Sequence, residues 1–275
     1  MRRTKITPCL WFEYSAKEAV EFYCETFRNS FIIESSELSV KFSLNNIEFV
    51  ALNKSPNSTI NDTISFSVYC GGEWEIERLY SVFSQGGEVI MPLGPYPFAR
   101  KYAWVKDKFG VSWQLDVDPI NNPQNIVPSV MFVNDHAPKL KEAINFYHGI
   151  FPKPMMLFEV AYPPEIHMPE GCLRFAQHKL NGYIFNFMSN HERQESESNE
   201  SVSFTVWCKD QEDINHYWNA LNSKASKIGK FGWLQDKYGL WWQILPNNLG
   251  ALLKDKENLQ KLMQMEKINL ADLNT

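Results

Sequence analysis

Apolar residues recur at helical spacing in Ala16, Ala19, Val20, Tyr23 and Phe27, and the stripe returns 124 residues later in Leu140, Ala143, Ile144, Tyr147 and Phe151. Spacing of i, i+3, i+4, i+7 marks a helix with one buried face. A period of two runs through Ile64, Phe66, Val68 and Cys70, and again through Val202, Phe204, Val206 and Cys208. It predicts strands whose apolar side packs on helices. The opposite, hydroxyl-rich side carries Thr63, Ser65, Ser67 and Tyr69 in one strand and Ser201, Ser203, Thr205 and Trp207 in the other. A second amphipathic helix follows each strand, through Ile76, Leu79, Tyr80 and Phe83, then Ile214, Tyr217, Trp218 and Leu221.

Further blocks match in the same order. Ile6-Thr-Pro-Cys-Leu-Trp-Phe12 corresponds to Ile126-Val-Pro-Ser-Val-Met-Phe132, and Leu44-Asn-Asn-Ile47 to Leu180-Asn-Gly-Tyr183. Trp104-Val-Lys-Asp-Lys-Phe-Gly-Val-Ser-Trp-Gln114 returns as Trp233-Leu-Gln-Asp-Lys-Tyr-Gly-Leu-Trp-Trp-Gln243. The chain is a tandem duplication. Each copy reads strand, helix, three strands, twice over, with first-copy strands near 6–12, 31–36, 38–45, 47–53, 64–70, 87–91, 100–106 and 111–117. Asp107 to Gly110 fits a type I turn. The polar stretches 53–63 and 189–201 join the halves of each copy, and the second reads as a mobile surface loop. The Pro/Asn-rich segment 118–125 is the domain boundary, which gives domains 1–120 and 121–248 and a tail 249–275. Leu252, Leu253, Leu259, Leu262 and Met263 predict that the tail docks as a helix, with Met263 and Met265 as contacts.

Composition narrows the function classes. Across 275 residues, 27 basic and 32 acidic side chains give a net charge of −5. No Lys/Arg block stands out, which argues against nucleic acid as a partner. No apolar run approaches the roughly 18–20 residues that cross a bilayer, and the N-terminal segment lacks a cleavage-site pattern, so no membrane is expected and the expectation is a cytoplasmic protein. Five cysteines without a CxxC pair read as reduced thiols, not as a disulfide frame or zinc knuckle.

The doubled βαβββ order resembles the vicinal-oxygen-chelate superfamily (glyoxalase I, bleomycin-resistance proteins, extradiol dioxygenases). The wording resembles its PhnB-like branch, sometimes labelled 3-demethylubiquinone-9 3-methyltransferase-like. Residues 6–12 carry that resemblance, with Glu18-Ala-Val-Glu-Phe-Tyr23, Ile64-Ser-Phe66, Met91-Pro-Leu93, Trp104 to Gln114 and the ending Met263 to Leu273. It implies an α+β fold of two tandem domains, each of paired βαβββ modules forming a curved, partly open barrel-like sheet. It also implies an intrachain pseudo-dimer, as a monomer or weak homodimer. The methyltransferase label finds no support in the residues, since no Gly-rich loop follows the first strand.

The superfamily typically binds a divalent metal through His and Glu on the inner sheet face. Counted from the first helix, its ligand positions fall on Pro8, Thr63 and Gln114 in the first copy and on Pro128, Ser201 and Gln243 in the second. None matches. All six His (136, 148, 167, 178, 191, 216) lie in the second copy, and the first copy's carboxylates near strand ends, Glu13, Glu48, Asp107, Asp116 and Asp118, read as turn and solvent-face acids. The expectation is no metal and no other cofactor. The minority alternative is a divalent ion in the second domain, held by His167, His178 and Glu159.

Neutral groups take the place of metal ligands. Ser65, Ser67, Tyr69 and Gln114 in the first copy, and Ser203, Thr205, Trp207 and Gln243 in the second, are candidate ligand-binding residues. Tyr96, Phe98, Arg100, Tyr102 and Trp104 fall on one side at period two and surround a guanidinium with rings, suited to an anionic or aromatic small molecule. The matching second-copy stretch, 225–232, is shorter, which predicts one binding copy and one packing partner. The leading expectation is a cytosolic small-molecule-binding protein with no assigned catalytic residue. The alternative is a metal-dependent lyase, isomerase or dioxygenase with an altered ligand set.

Overall fold

The computed structural model describes residues 6–53, 60–117, 123–192, 199–225 and 227–273. Asp118, most of the linker and the middle of the expected mobile loop lie outside these residues. The first copy runs β1 (Ile6–Trp11), α1 (Ala16–Thr26), β2 (Phe31–Ser35), β3 (Ser39–Leu44), β4 (Ile47–Leu52), β5 (Ile64–Tyr69), α2 (Glu73–Ser84), β6 (Glu88–Tyr96), β7 (Ala99–Lys106) and β8 (Ser112–Asp116). The second copy runs β9 (Ile126–Phe132), α3 (Leu140–Ile150), β10 (Met155–Ala161), β11 (Leu173–Leu180), β12 (Tyr183–Ser189), β13 (Val202–Cys208), α4 (Gln211–Leu221), β14 (Lys227–Ile228), β15 (Trp233–Gln235) and β16 (Trp241–Pro246). The hairpin turns between β3 and β4 and between β11 and β12 place Asn45, Asn46, Asn181 and Gly182 at positive φ, as Asn and Gly permit.

The α+β class and the repeat stand, in two eight-stranded sheets that do not close. Each sheet draws one module from each copy. The first has the order β14-β15-β16-β13-β1-β4-β3-β2 and the second β10-β11-β12-β9-β5-β8-β7-β6. The joints are antiparallel: Cys9 faces Ser203 between β1 and β13, and Ser65 faces Ser129 between β5 and β9. The physical reason lies in the core. Within one copy the two modules turn their helix-bearing faces toward each other, bringing Phe49 onto Phe66 and Phe27 onto Phe83. In the second copy Phe185 meets Phe204 and Phe151 meets Tyr217. With those faces buried against each other, the first strand of each module finds its sheet partner in the other copy. The expected division into a binding copy and a packing copy is therefore corrected, because each sheet face belongs to both.

The same buried keystone recurs in each copy. The Tyr23 hydroxyl and the Trp113 indole both donate to Asp107 Oδ2 at 2.8 Å, while the backbone N–H groups of Phe109 and Val111 donate to Oδ1 at 2.8 and 3.0 Å. Tyr147, Trp242, Tyr238 N and Leu240 N repeat this around Asp236. Burial raises both carboxyls, Asp236 to about 6, and the four donors pull each back down. Asp107 is thus a buried link from turn to helix rather than a solvent-face acid. Gly110 and Gly239 close these turns at positive φ.

The tail forms two short helices, α5 (Leu249–Leu252) and α6 (Lys256–Gln264), then a 3₁₀ turn at Leu270–Asp272. Leu252, Leu262, Ile268 and Leu273 are buried, and Met265 packs on the core, whereas Met263 stays exposed. The Phe231 and Gly232 N–H groups donate to the carbonyls of Met265 and Glu266, tying the tail to the β14–β15 hairpin.

Candidate functional site

Each sheet has a face turned away from the helices, and all the residues picked out as candidate ligand-binding groups on the strands lie there. On the second sheet Ser65 pairs with Ser129, Ser129 with Asn186, and Asn186 with Gln177. Ser67 pairs with Gln114, and Gln114 with Trp104. Their polar atoms satisfy one another. Tyr102 donates to Gln114 Oε1 at 2.8 Å, and Gln114 Nε2 donates to Ser65 Oγ at 2.8 Å. Ser67 and Ser129 share a 2.7 Å bond between hydroxyls, and Asn186 Nδ2 donates to both Ser129 Oγ and Tyr69 at 3.1 Å. Gln177 Nε2 donates to Asn186 Oδ1 at 2.8 Å and to Tyr69 at 3.1 Å, and the Trp104 indole to Ser112 Oγ at 2.6 Å. Burial pushes the Tyr69 phenol up to about 12, with a smaller push from the Asp116 carboxylate at the end of β8, so the phenol stays protonated at physiological pH. Ser129, Asn186 and Gln177 were not anticipated. They belong to the other copy, and only the cross-copy pairing brings them in.

The aromatic stripe spans a hairpin instead of one strand. Tyr96 ends β6, Phe98 lies in the turn, and Tyr102 is on β7. The three rings nevertheless meet, with centroids 5.2–5.7 Å apart. Arg100 is exposed on β7, two residues before Tyr102, while Lys101 points to the helix side and pairs with Glu73 and Glu77 of α2.

On the first sheet Cys9 faces Ser203, Thr7 faces Thr205, Thr205 pairs with Gln243, and Gln243 with Trp233. The Trp207 indole donates to Thr7 Oγ1 at 2.9 Å, and Gln243 Nε2 to the Phe231 carbonyl at 3.1 Å. Burial drives the Cys9 thiol up to about 12, against lesser opposite pulls from Ser203 and Trp11. It is neutral and a poor nucleophile.

The positions where a metal would be sought do not fit one. Pro8 and Pro128 face the helices, opposite Phe204 and Phe66 of the core. Counting back from the helix missed the strand face, whose actual occupants are Thr7, Cys9, Val127 and Ser129. Gln114 and Gln243 are committed to neutral hydrogen bonds. Of the second-copy trio, His178 and Glu159 do meet, with Nε2 3.1 Å from Oε1 but not aligned for a hydrogen bond. They meet on the helix side, beside His148, whose Nε2 lies 3.0 Å from His178 Nδ1, and Lys141, which pairs with Glu159. His167 stays exposed on the loop after β10. The two His178 nitrogens point at separate neighbours, so the group does not converge on one point. No cluster of three or more His, Cys, Asp or Glu suited to a metal occurs among the described residues.

The family model described as 3-demethylubiquinone-9 3-methyltransferase matches residues 4–116 and again 124–245. A PhnB protein from Bacillus cereus carrying the same description is 36% identical over 40% of this chain and 96% of its own, with a TM-score of 0.38. Glyoxalase I from Zea mays is similar over 96% of this chain and 98% of its own, at 12% identity and a TM-score of 0.56, a likeness of fold. No curated protein matches.

Proposed function

The chain belongs to the family described as 3-demethylubiquinone-9 3-methyltransferase, and from that premise we propose that it is a cytoplasmic small-molecule-binding protein of the glyoxalase and bleomycin-resistance type, without a standard metal site. The supporting observation is the chemistry of the helix-free faces. Their central positions carry hydroxyl, amide, thiol and aromatic groups, in Ser65, Ser67, Ser129, Gln114, Asn186 and Gln177 on one sheet and Thr7, Cys9, Ser203, Thr205 and Gln243 on the other. Such groups recognise a ligand by hydrogen bonding and stacking, and they offer no anionic or imidazole set to hold a Lewis acid. Arg100, exposed on the hairpin whose Tyr96, Phe98 and Tyr102 rings meet, suits an anionic or aromatic ligand.

A thermal-shift screen of small aromatic acids, run with and without EDTA, tests this reading. The expected result is ligand-dependent stabilisation that chelation leaves unchanged and that shrinks for at least one hit in Arg100→Ala. Stabilisation that disappears with EDTA and returns with added metal contradicts it.

A further inference from the structure

We propose that the helix-free face of the first sheet, between Trp11, Trp233 and Trp241, is a second ligand cleft, and that it takes a flat aromatic molecule bearing a hydrogen-bond-accepting oxygen. This rests on the small-molecule reading and adds a cleft on the sheet that does not carry Arg100.

The two sheets put corresponding residues of the repeat at corresponding places, so they can be compared position by position. Ser203 corresponds to Ser65, Gln243 to Gln114, Trp233 to Trp104 and Trp241 to Ser112. On the second sheet Ser65 Oγ receives Gln114 Nε2, and the Trp104 indole is tied to Ser112. On the first sheet both arrangements are undone. Gln243 Nε2 turns to the Phe231 carbonyl. An indole replaces the serine that would hold Trp233. Among the described residues, Trp241 Nε1 is buried without a hydrogen-bond partner, and the buried Ser203 Oγ and Trp11 Nε1 find no oxygen or nitrogen partner, only the Cys9 thiol. Ser203 is fully buried. The neutral Cys9 thiol that Ser203 and Trp11 reach is a weak hydrogen-bonding group, poorer than an oxygen acceptor. Leaving such groups unmet is costly, and a site with a satisfied counterpart elsewhere in the same fold points to a missing partner.

The geometry shapes that partner. Strands β1 and β15 are three strand spacings apart, roughly 14 Å, yet the Trp11 and Trp233 rings meet edge to face at 5.6 Å. The two indoles therefore lean together across β13 and β16 and roof the floor that holds Ser203 and Gln243. A ligand that parts them gains two aromatic faces, which favours a planar ring. An indole N–H only donates, so the ring must present an acceptor to Trp11 and Trp241. Lys41 and Glu48 on the flanking strands neutralise each other at 3.0 Å, so charge is not the selecting feature.

The test is titration of the full chain, with 15N-labelled tryptophan indoles, using 2-naphthoate, 2-naphthaldehyde and the non-planar cyclohexanecarboxylate. Saturable binding of the two naphthyl probes is expected to move the Trp11 and Trp241 indole signals, with cyclohexanecarboxylate at least about tenfold weaker. Ser203→Ala and Trp241→Phe are each expected to weaken binding about five- to tenfold, equivalent to one lost hydrogen bond. Ser203→Ala is small enough to keep the fold, which its melting curve verifies. Absence of binding by either naphthyl probe overturns the proposal, as does water alone filling the site. Binding lost in Gln114→Ala but intact in Trp241→Phe overturns the second cleft and leaves the small-molecule reading standing. Binding that requires added metal overturns both.

Discussion

Replacing Asp107 by Asn swaps one oxygen for an NH2 group and changes almost nothing in size. The carboxylate accepts four donors: Tyr23 OH and Trp113 Nε1 on one oxygen, Phe109 N and Val111 N on the other. An amide has one accepting oxygen, so whichever way it is turned two donors face an NH2 group. Two orphaned buried donors cost about 1–3 kcal/mol each. The relief of no longer burying a charge, visible in the raised carboxyl, offsets part of this. The expected net loss is roughly 3 kcal/mol. Tyr23→Phe removes one donor and leaves three, so about 1–2 kcal/mol is expected from it, and the double variant should cost less than the sum because both changes act on one network. Urea denaturation of the four proteins, followed by tryptophan fluorescence, measures these values. An Asp107→Asn protein within about 0.5 kcal/mol of the parent, the range of an ordinary surface substitution, refutes the keystone account.

Burial holds His178 down at about 4, with His148 and Lys141 pushing the same way and Glu159 opposing. The unfolded chain takes up that proton near pH 6.5 while the native chain does not, so the contribution is present above pH 6.5 and is lost as pH falls toward 4. It amounts to roughly 3 kcal/mol. His178→Leu should flatten the stability-versus-pH curve across that window, and an unchanged slope contradicts the assignment. Gly232 stands at φ +75°, and a Cβ there would come within 2.5 Å of the Ile244 carbonyl oxygen. Gly232→Ala should therefore cost more than about 2 kcal/mol in chemical denaturation, and a neutral result contradicts the tight β15–β16 approach. The buried Cys9 thiol should stay unreactive toward a disulfide reagent at pH 8 until the protein unfolds. Modification at a free-thiol rate shows that the first sheet's face is open.

The helices and strands were legible because each packs one apolar face on the core, and the repeat stated every pattern twice. Periodicity assigned Ser65, Ser67 and Gln114 to one face of their strands and Phe66 and Trp113 to the other, and the structure has them so. Which strand edges meet is a different kind of information. Backbone pairing of β1 with β13 and of β5 with β9 leaves no mark in hydrophobic rhythm, so Ser129, Asn186 and Gln177 could not be placed beside Ser65. Pro8 was misplaced because counting back along the chain from a helix ignores the length of the intervening turn, and one residue changes the face. Asp107 looked like a turn residue, which it also is. Its recurrence six residues before a tryptophan in both copies, with a tyrosine at matching helix positions, was the signal for a buried acceptor.

The central claim is that neutral groups have replaced the chelating set of this fold. The direct measurement is elemental analysis of the full chain purified without chelator and dialysed against metal-free buffer. The account predicts only trace zinc, manganese, iron or nickel relative to protein. A tightly held transition metal at parity with the chain contradicts it.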